Sequence, residues 1–367
     1  MNDEYYMRRA LELAGRGRGY TNPNPMVGAV IVKGGRIIGE GWHEKYGQLH
    51  AERNALKNCT EDPAGTTIYV TLEPCCHHGK TPPCTDAIIE SGISKVVVGM
   101  LDVNPIVAGN GVRILEEHGI EVVTGVLEDE CRALNKIFIK FMTEKLPYVV
   151  MKYAMTSDGK IATVTGESKW ITGEASRKNV HRTRHALMGI MVGVGTVLAD
   201  DPMLDCRLPE GGKNPIRIIC DGNLRTPLDS RVVTTASDIP TLIATVSTDE
   251  SLIKEYESKD CSVIRTASDN GRVDLKDLMR ILGENGIDSI LLEGGAQLNY
   301  SAIKAGIVDE VHTYIAPKIF GGNAKTPVGG EGIGSIEDAV ILNPVKITKI
   351  GDDILVESEV RHRCLRE

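Results

Sequence analysis

The feature that most constrains this chain is alternation. Short β-rich runs are separated by helical stretches, and the pattern runs through 367 residues with a restart near residue 146. In the first series, VGAVIV (27–32) and RIIGEGW (36–42) flank Gly34-Gly35, the chemistry of a tight hairpin. TIYVTL (67–72) and KVVVGM (95–100) follow, with helical stretches near 50–58, 84–91 and 111–118. An opening helix over 4–14 sets Tyr5, Met7, Leu11 and Ala14 on one face and stops at the Gly15–Gly19 stretch. A helix over about 128–142 leads into Glu144-Lys145-Leu146-Pro147. The second series contains strands at 148–156, 190–195, 215–220, 241–246, 289–294 and 308–316 and a final pair around 345–358. Its helices lie at 174–188, 274–284 and 296–305. Alternation of this kind predicts α/β sheets covered by helices. Two unlike α/β domains, 1–146 and 147–367, imply two sites.

Composition excludes several classes. Forty-two basic against fifty acidic side chains leave a net charge of −8 without charge runs, which disfavours a nucleic-acid partner held by a basic surface. No stretch approaches the roughly 20 apolar residues of a membrane span, and the acidic start Met1-Asn2-Asp3-Glu4 lacks a secretory signal. A cytoplasmic enzyme is expected. Nine cysteines are an odd number for a disulfide framework. Three of them, Cys75, Cys76 and Cys84, fall within ten residues, a spacing that points to metal or catalysis.

His50-Ala51-Glu52 opens a helix, Glu73-Pro74-Cys75 ends a strand, and a Gly/Pro-rich loop carries the chain to Cys84 at the next helix. One imidazole and two thiolates suit Zn²⁺ with an open fourth position for water, the arrangement of a catalytic site. Helix N-termini favour thiolate over thiol. Glu52 can stand beside the metal without ligating it and shuttle protons, while zinc brings bound water towards a pKa of about 7. Hydrolytic deamination needs those two acts. The alternative is a closed structural zinc site or buried free thiols, which gives Glu52 no evident use. The spacing differs from the H-x-E…P-C-x-x-C of nucleobase deaminases, because Cys84 stands nine positions after Cys75.

The strings NPNPMVGAVIV (22–32), HAE (50–52) and TLEPCCHHGKTPPC (71–84) resemble the deaminase domain of the bifunctional riboflavin-biosynthesis deaminase/reductase family. The resemblance extends over nearly the whole chain. It implies a cytidine-deaminase-like three-layer αβα domain and ligation by His50, Cys75 and Cys84. Cys76 stands where the family usually has serine, so either adjacent thiol is open as a ligand and Cys75 is the family-matched one. Asn24, His43, His77, Lys80 and Asn104 match contacts to the pyrimidine or ribose phosphate. Asn24 offers a donor and an acceptor to a base edge, and Lys80 a charge to phosphate. His77 and His78 can equally be plain loop residues.

In the second half, SILLEGGAQL (289–298) sets Glu293-Gly294-Gly295 between strand and helix, where free N–H groups can hold a phosphate. It is not a G-x-G-x-x-G, so no Rossmann domain is implied, and a mere turn fits the two glycines as well. Together with SDGKIA (157–162), SKWIT (168–172) and VGVGTVLADDPMLDCR (192–207), it resembles the reductase domain of the same family. That resemblance implies a dihydrofolate-reductase-like α/β fold using NADPH. Ala154, Trp170, Thr196, Asp200 and Gly295 match cofactor contacts, and Ser168, Arg184, Leu204, Arg207 and Glu293 match substrate contacts. Lys152 and Asp200 are candidates for proton supply, although Lys152 can equally be a plain ion-pair partner. The implied activity is zinc-dependent deamination of a diaminopyrimidine ribosyl phosphate, then reduction of ribosyl to ribityl. Self-association through the reductase domain is implied as well. A nucleoside or tRNA deaminase fused to a pteridine-type reductase, and a binding module clipped by structural zinc, are the rival readings.

Overall fold

The computed structural model describes residues 2–77, 82–104 and 107–361. The chain divides into two compact units, Met1–Lys145 and Leu146–Glu367. Among the described residues, no helix is long and apolar enough to cross a membrane.

In the first unit, α1 (Asp3–Ala14) begins where the Asn2 side chain accepts from the Tyr5 amide, satisfying one of the helix's orphan donors. Its buried stripe is Tyr6, Met7, Ala10, Leu13 and Ala14, one step round from the predicted face. Tyr5 stays half exposed, packing edge-on against Tyr6. The Tyr6 hydroxyl donates to the Gly35 carbonyl at 2.8 Å, which fixes the rotation of the helix. Strands β1 (Gly28–Lys33) and β2 (Arg36–Trp42) form the predicted hairpin. Gly34 and Gly35 both have positive φ, at 54° and 81°, as a tight primed turn requires.

The chain continues through α2 (Ala51–Lys57), β3 (Thr67–Leu72), α3 (Cys84–Glu90), β4 (Lys95–Met100), α4 (Asn110–Glu117) and β5 (Glu121–Thr124). It closes with α5 (Glu128–Leu134) and α6 (Lys136–Glu144). The sheet order is β2-β1-β3-β4-β5, antiparallel across β2, β1 and β3 and parallel from β3 onward. β1, β3 and β4 are buried along nearly their whole length, which places helices over both faces of the sheet. The single helix expected over 128–142 is two, because Asn135 leaves helical geometry at φ −106°, ψ 19°. Its side chain pairs with both the amide and the carbonyl of Met26, at 2.9 and 3.0 Å.

The second unit runs β6 (Tyr148–Thr156), α7 (Glu174–Ala186), β7 (Gly189–Gly193), α8 (Val194–Asp200), β8 (Ile216–Cys220), α9 (Arg231–Thr234), β9 (Thr241–Thr245), α10 (Glu250–Glu257) and β10 (Cys261–Arg265). A short hairpin of β11 (Ser268–Asp269) and β12 (Arg272–Val273) follows, then α11 (Leu275–Glu284), β13 (Ser289–Leu292), α12 (Ala296–Lys304), β14 (Glu310–Ala316), β15 (Leu342–Ile350) and β16 (Asp353–Val360). The main sheet has the order β10-β9-β8-β7-β13-β6-β14-β16-β15. It is parallel as far as β14 and antiparallel beyond. Parallel strands put all their carboxyl ends on one side, where ligands bind in open α/β sheets. The strand predicted at 190–195 stops at Gly193 and turns directly into α8.

Glycines set how closely helices seat on the first sheet. A Cβ on Gly41 would lie 2.3 Å from the Ala55 nitrogen and 2.5 Å from the Ala51 carbonyl oxygen, both backbone atoms of α2. Neither can yield without moving the helix. Gly41→Ala should therefore lower the unfolding free energy of the first unit by about 2 kcal/mol or more, read from its urea transition. A midpoint unchanged from the parent would contradict this packing.

Candidate active sites

The first site is built at two helix starts and a strand end. His50 caps α2 in extended conformation, Cys75 follows β3, and Cys84 opens α3. His50 Nδ1 lies 3.4 Å from Cys75 Sγ and 3.5 Å from Cys84 Sγ, and all three donor atoms fall within 4.8 Å of one another. Tetrahedral zinc at ordinary bond lengths holds a nitrogen and a sulfur about 3.6 Å apart. The donor set and its spacing thus fit the metal. The Cys84 amide also points at Cys75 Sγ, at 3.4 Å. A hydrogen bond from the Cys84 thiol, then the nearby imidazole, holds the Cys75 thiol down at about 4. Cys76 is not in the cluster.

Glu52, in the first turn of α2, is 3% exposed. Burial first, and then the neighbouring Cys75 charge, push its carboxyl up to about 7, a range in which a group both takes and gives protons. His43 is buried and kept neutral by its desolvation. Its Nδ1 faces the Leu49 carbonyl at 3.1 Å and must carry the proton, so Nε2 accepts from the Asn24 amide at 3.3 Å. Asn24 is thereby oriented, and its carbonyl oxygen is left to meet a donor. These residues line a cavity of about 340 Å³ together with His77, Asp102 and Asn104. Lys80 and His78 lie outside the described residues.

Glu73 was not singled out from sequence, yet it organises this wall. Buried at 3% exposure, its carboxylate accepts from the amides of Asp102, Gly109, Gly111 and Val112 at 2.9 to 3.2 Å. Asp102 in turn accepts from the Asn104 amide at 2.8 Å. The signal was available in Thr71-Leu72-Glu73-Pro74-Cys75, an acid beside the metal strand, but its partners are 29 to 39 residues further along the chain.

The second site is a cleft of about 1590 Å³ along the carboxyl ends of the parallel strands of the other unit. Glu293, just past β13, takes a two-pronged hydrogen bond from Arg184 on α7, Nε to Oε1 at 2.7 Å and Nη2 to Oε2 at 3.1 Å. Lys152 Nζ on β6 stands 3.6 Å from the same carboxylate and 5.8 Å from the Tyr314 ring centre. Burial alone would raise the Glu293 pKa, but the charges of Arg184 and Lys152 outweigh it and hold the carboxyl at about 2. Arg184 also donates to the Asp205 carbonyl at 2.9 Å. Arg184 thus lines the cleft with its guanidinium already tied to Glu293 and to the Asp205 carbonyl.

Two strand-to-helix turns, Gly193-Val194-Gly195-Thr196 and Gly294-Gly295-Ala296, face this one cleft. A Cβ on Gly195 would meet nothing, and one on Gly295 only Thr196 Oγ1 at 3.9 Å. The resulting lining of bare backbone suits a phosphate-bearing cofactor. Ala154, Ser168, Trp170, Asp200 and Arg207 line the same cleft. Trp170 is largely exposed with the Arg177 guanidinium 4.6 Å over its ring, and Asp200 sits at the rim 3.9 Å from Lys169. Leu204 departs from expectation. Its side chain is buried in the apolar cluster with Val192 and Ile219 and does not line the cleft, and its backbone has a positive φ of 51°.

These two sites define a class: a zinc-type deaminase unit joined to a nucleotide-dependent reductase unit. Residues 1–100 match the cytidine and deoxycytidylate deaminase zinc-binding region, and residues 147–356 match the RibD C-terminal domain. The chain is 58% identical to the riboflavin biosynthesis protein RibD of Actinobacillus pleuropneumoniae, over 97% of this chain and 95% of that one. It is 41% identical to the Escherichia coli protein, over 96% and 98%. The crystal structure of a diaminohydroxyphosphoribosylaminopyrimidine deaminase/5-amino-6-(5-phosphoribosylamino)uracil reductase from Thermotoga maritima superposes with a TM-score of 0.87 at 42% identity, covering 98% of this chain and 99% of that one. RibD of Acinetobacter baumannii gives 0.88 at 36%, with the same coverage. The chain belongs to the RibD family, bifunctional deaminases and reductases of riboflavin biosynthesis. Its fold is accordingly a cytidine-deaminase-like unit followed by a dihydrofolate-reductase-like one, served by zinc and NADPH.

The Glu73 clamp carries a prediction. Glu73→Gln puts an amide donor against backbone donors and should destabilise the first unit by about 2 to 4 kcal/mol, measured by chemical denaturation. Stability equal to the parent's would show that those four amides do not depend on the carboxylate.

Proposed function

We propose that the first unit removes the exocyclic 2-amine of 2,5-diamino-6-ribosylamino-4(3H)-pyrimidinone 5′-phosphate and that the second reduces the ribosyl group of the product to ribityl. The observation that carries the first step is the buried Glu52 beside the converging His50, Cys75 and Cys84 donors. Zinc, when bound by these three, supplies the Lewis acidity that makes water nucleophilic near neutral pH. Asn24, held by His43, receives the base edge, with Asp102, Asn104 and His77 around it and Lys80 assigned to the phosphate. Glu52 takes a proton from the attacking water and delivers it to the departing nitrogen. A carbon–oxygen bond forms, the carbon–nitrogen bond breaks, and ammonia leaves.

In the second unit, NADPH supplies the hydride when bound along Ala154, Trp170, Thr196, Asp200 and Gly295. Ser168 and Arg207 are assigned to the ribose phosphate, with the Leu204 main chain beside them. Glu293, fixed as a carboxylate by Arg184, receives sugar hydroxyls. Opening of the sugar ring leaves a carbon–nitrogen double bond at C1′. The hydride adds to that carbon, and Lys152, half-buried beside Glu293, gives the proton to nitrogen. Asp200, at the rim beside Lys169, is the second candidate for proton supply.

Self-association through this unit has its own support. Edge strand β15 pairs on one side only and leaves Val345 and Ile347 56% and 69% exposed. An open edge that exposes apolar side chains can pair with a second copy. Ile347→Glu should shift the sedimentation profile towards monomer, and a profile unchanged by it would contradict this interface.

Glu52→Gln tests the deaminase reading. It should keep one zinc per chain and full reductase turnover on the deaminated substrate, while deaminase turnover falls by about 10²-fold or more. Full deaminase turnover with zinc retained would overturn the role of Glu52.

A further inference from the structure

One side of α7 lines the reductase cleft with basic side chains at helical spacing, Arg177, Lys178, His181 and Arg184. Three of them have their partners within the protein. The Arg177 guanidinium donates to the Thr172 carbonyl at 2.8 Å and lies over the Trp170 ring. Lys178 pairs with Glu210 at 3.7 Å, and Arg184 is tied to Glu293. His181 differs. Its Nδ1 accepts from the Arg207 amide at 3.1 Å. Burial first, then the charges of Arg184 and Arg207, lower the pKa of the ring against the opposing pull of Asp205 and Glu293, so the imidazole is neutral. A neutral imidazole whose Nδ1 lone pair is engaged carries its proton on Nε2. That N–H has no partner among the described residues.

We propose that His181 is a further substrate-binding residue of the reductase, donating from Nε2 to an oxygen of the ribose phosphate beside Arg207. The inference rests on the assignment of that phosphate to Ser168 and Arg207 given above. His181 and Arg207 both line the cleft, and the bond from the Arg207 amide to Nδ1 sets them side by side. The two carboxylates whose charge reaches His181 are already engaged, Asp205 by the Arg207 guanidinium and Glu293 by Arg184 and Lys152. An acceptor for the Nε2 proton therefore has to come from the ligand. A phosphate monoester offers acceptors only, and a charged acceptor makes the stronger bond. The other nitrogen has a second task. With the Cys206 thiol donating to the His181 carbonyl at 3.4 Å and Arg184 to the Asp205 carbonyl at 2.9 Å, it ties the main chain of 205–207 to α7. Arg207, whose side chain is exposed, is thus presented from a fixed backbone.

Reductase kinetics of the full chain on the deaminated substrate, with ribose 5-phosphate as a competing ligand that carries the phosphate without the base, test this. Asparagine keeps an acceptor where Nδ1 stands and removes the outer donor, whereas glutamine keeps a donor near Nε2. His181→Asn should raise KM by about tenfold and leave kcat within about twofold and the melting temperature unchanged. The inhibition constant of ribose 5-phosphate should rise by the same factor. His181→Gln should bring KM back to within about threefold of the parent's. An unchanged KM in His181→Asn, or a glutamine variant as impaired as the asparagine one, overturns the assignment. So does a raised KM with unchanged inhibition by ribose 5-phosphate, which would give the donor to the base, and so does a parent that ribose 5-phosphate does not inhibit. Arg207→Gln separates the two readings. If it raises KM while His181→Asn does not, His181 alone is wrong; if neither raises it, the phosphate lies elsewhere and both assignments fall.

Discussion

Everything in the first unit turns on three side chains meeting at one point while a carboxyl group stands dry beside them. His50, Cys75 and Cys84 come from three separate elements, yet their donor atoms lie at the spacing of one tetrahedral ion. This needs α2 seated tightly on β2, which Gly41 permits by presenting no Cβ to the helix backbone. It also needs the loop after β3 to return to α3, where the Cys84 and Thr85 amides both bond the Cys75 carbonyl at 3.0 and 3.2 Å. Glu52 rides on the first turn of the same α2 helix, so one packing decision places a ligand and the proton carrier together.

The second unit solves a different electrostatic problem. Its central acid, Glu293, has to remain charged at the floor of a cleft, and two cations from different elements hold it so. Removing either cation would leave the acid poorly compensated, a costly state for a buried charge. The same arrangement shows why Arg184, which sequence resemblance set among substrate contacts, acts on Glu293 in this structure. Charge in this cleft is thus concentrated in a mutually neutralised triad of Lys152, Arg184 and Glu293.

Much of this is legible in the sequence. The β1–β2 hairpin was readable because Gly34-Gly35 demand positive φ, and the metal triad because few side chains make good zinc ligands. The reductase strands were readable as continuous apolar runs. What escaped depends on contacts distant in sequence. The break at Asn135 exists because that side chain bonds Met26, more than 100 residues away, and no local propensity records it. The rotation of α1 is set by a hydroxyl bond to Gly35. Glu73 looked like part of a motif and proved to be an anchor for four amides. Leu204 is buried at a left-handed backbone position, which sequence alone does not announce for leucine.

X-ray absorption at the zinc edge of the purified protein tests the central claim most directly. The geometry predicts two sulfur scatterers at about 2.3 Å and two lighter ones at about 2.0 to 2.1 Å, one from His50 and one from solvent. Cys75→Ser should remove one sulfur, and Cys76→Ser should remove none. A shell of three or four sulfurs, or loss of sulfur on replacing Cys76, would contradict an open site held by His50, Cys75 and Cys84.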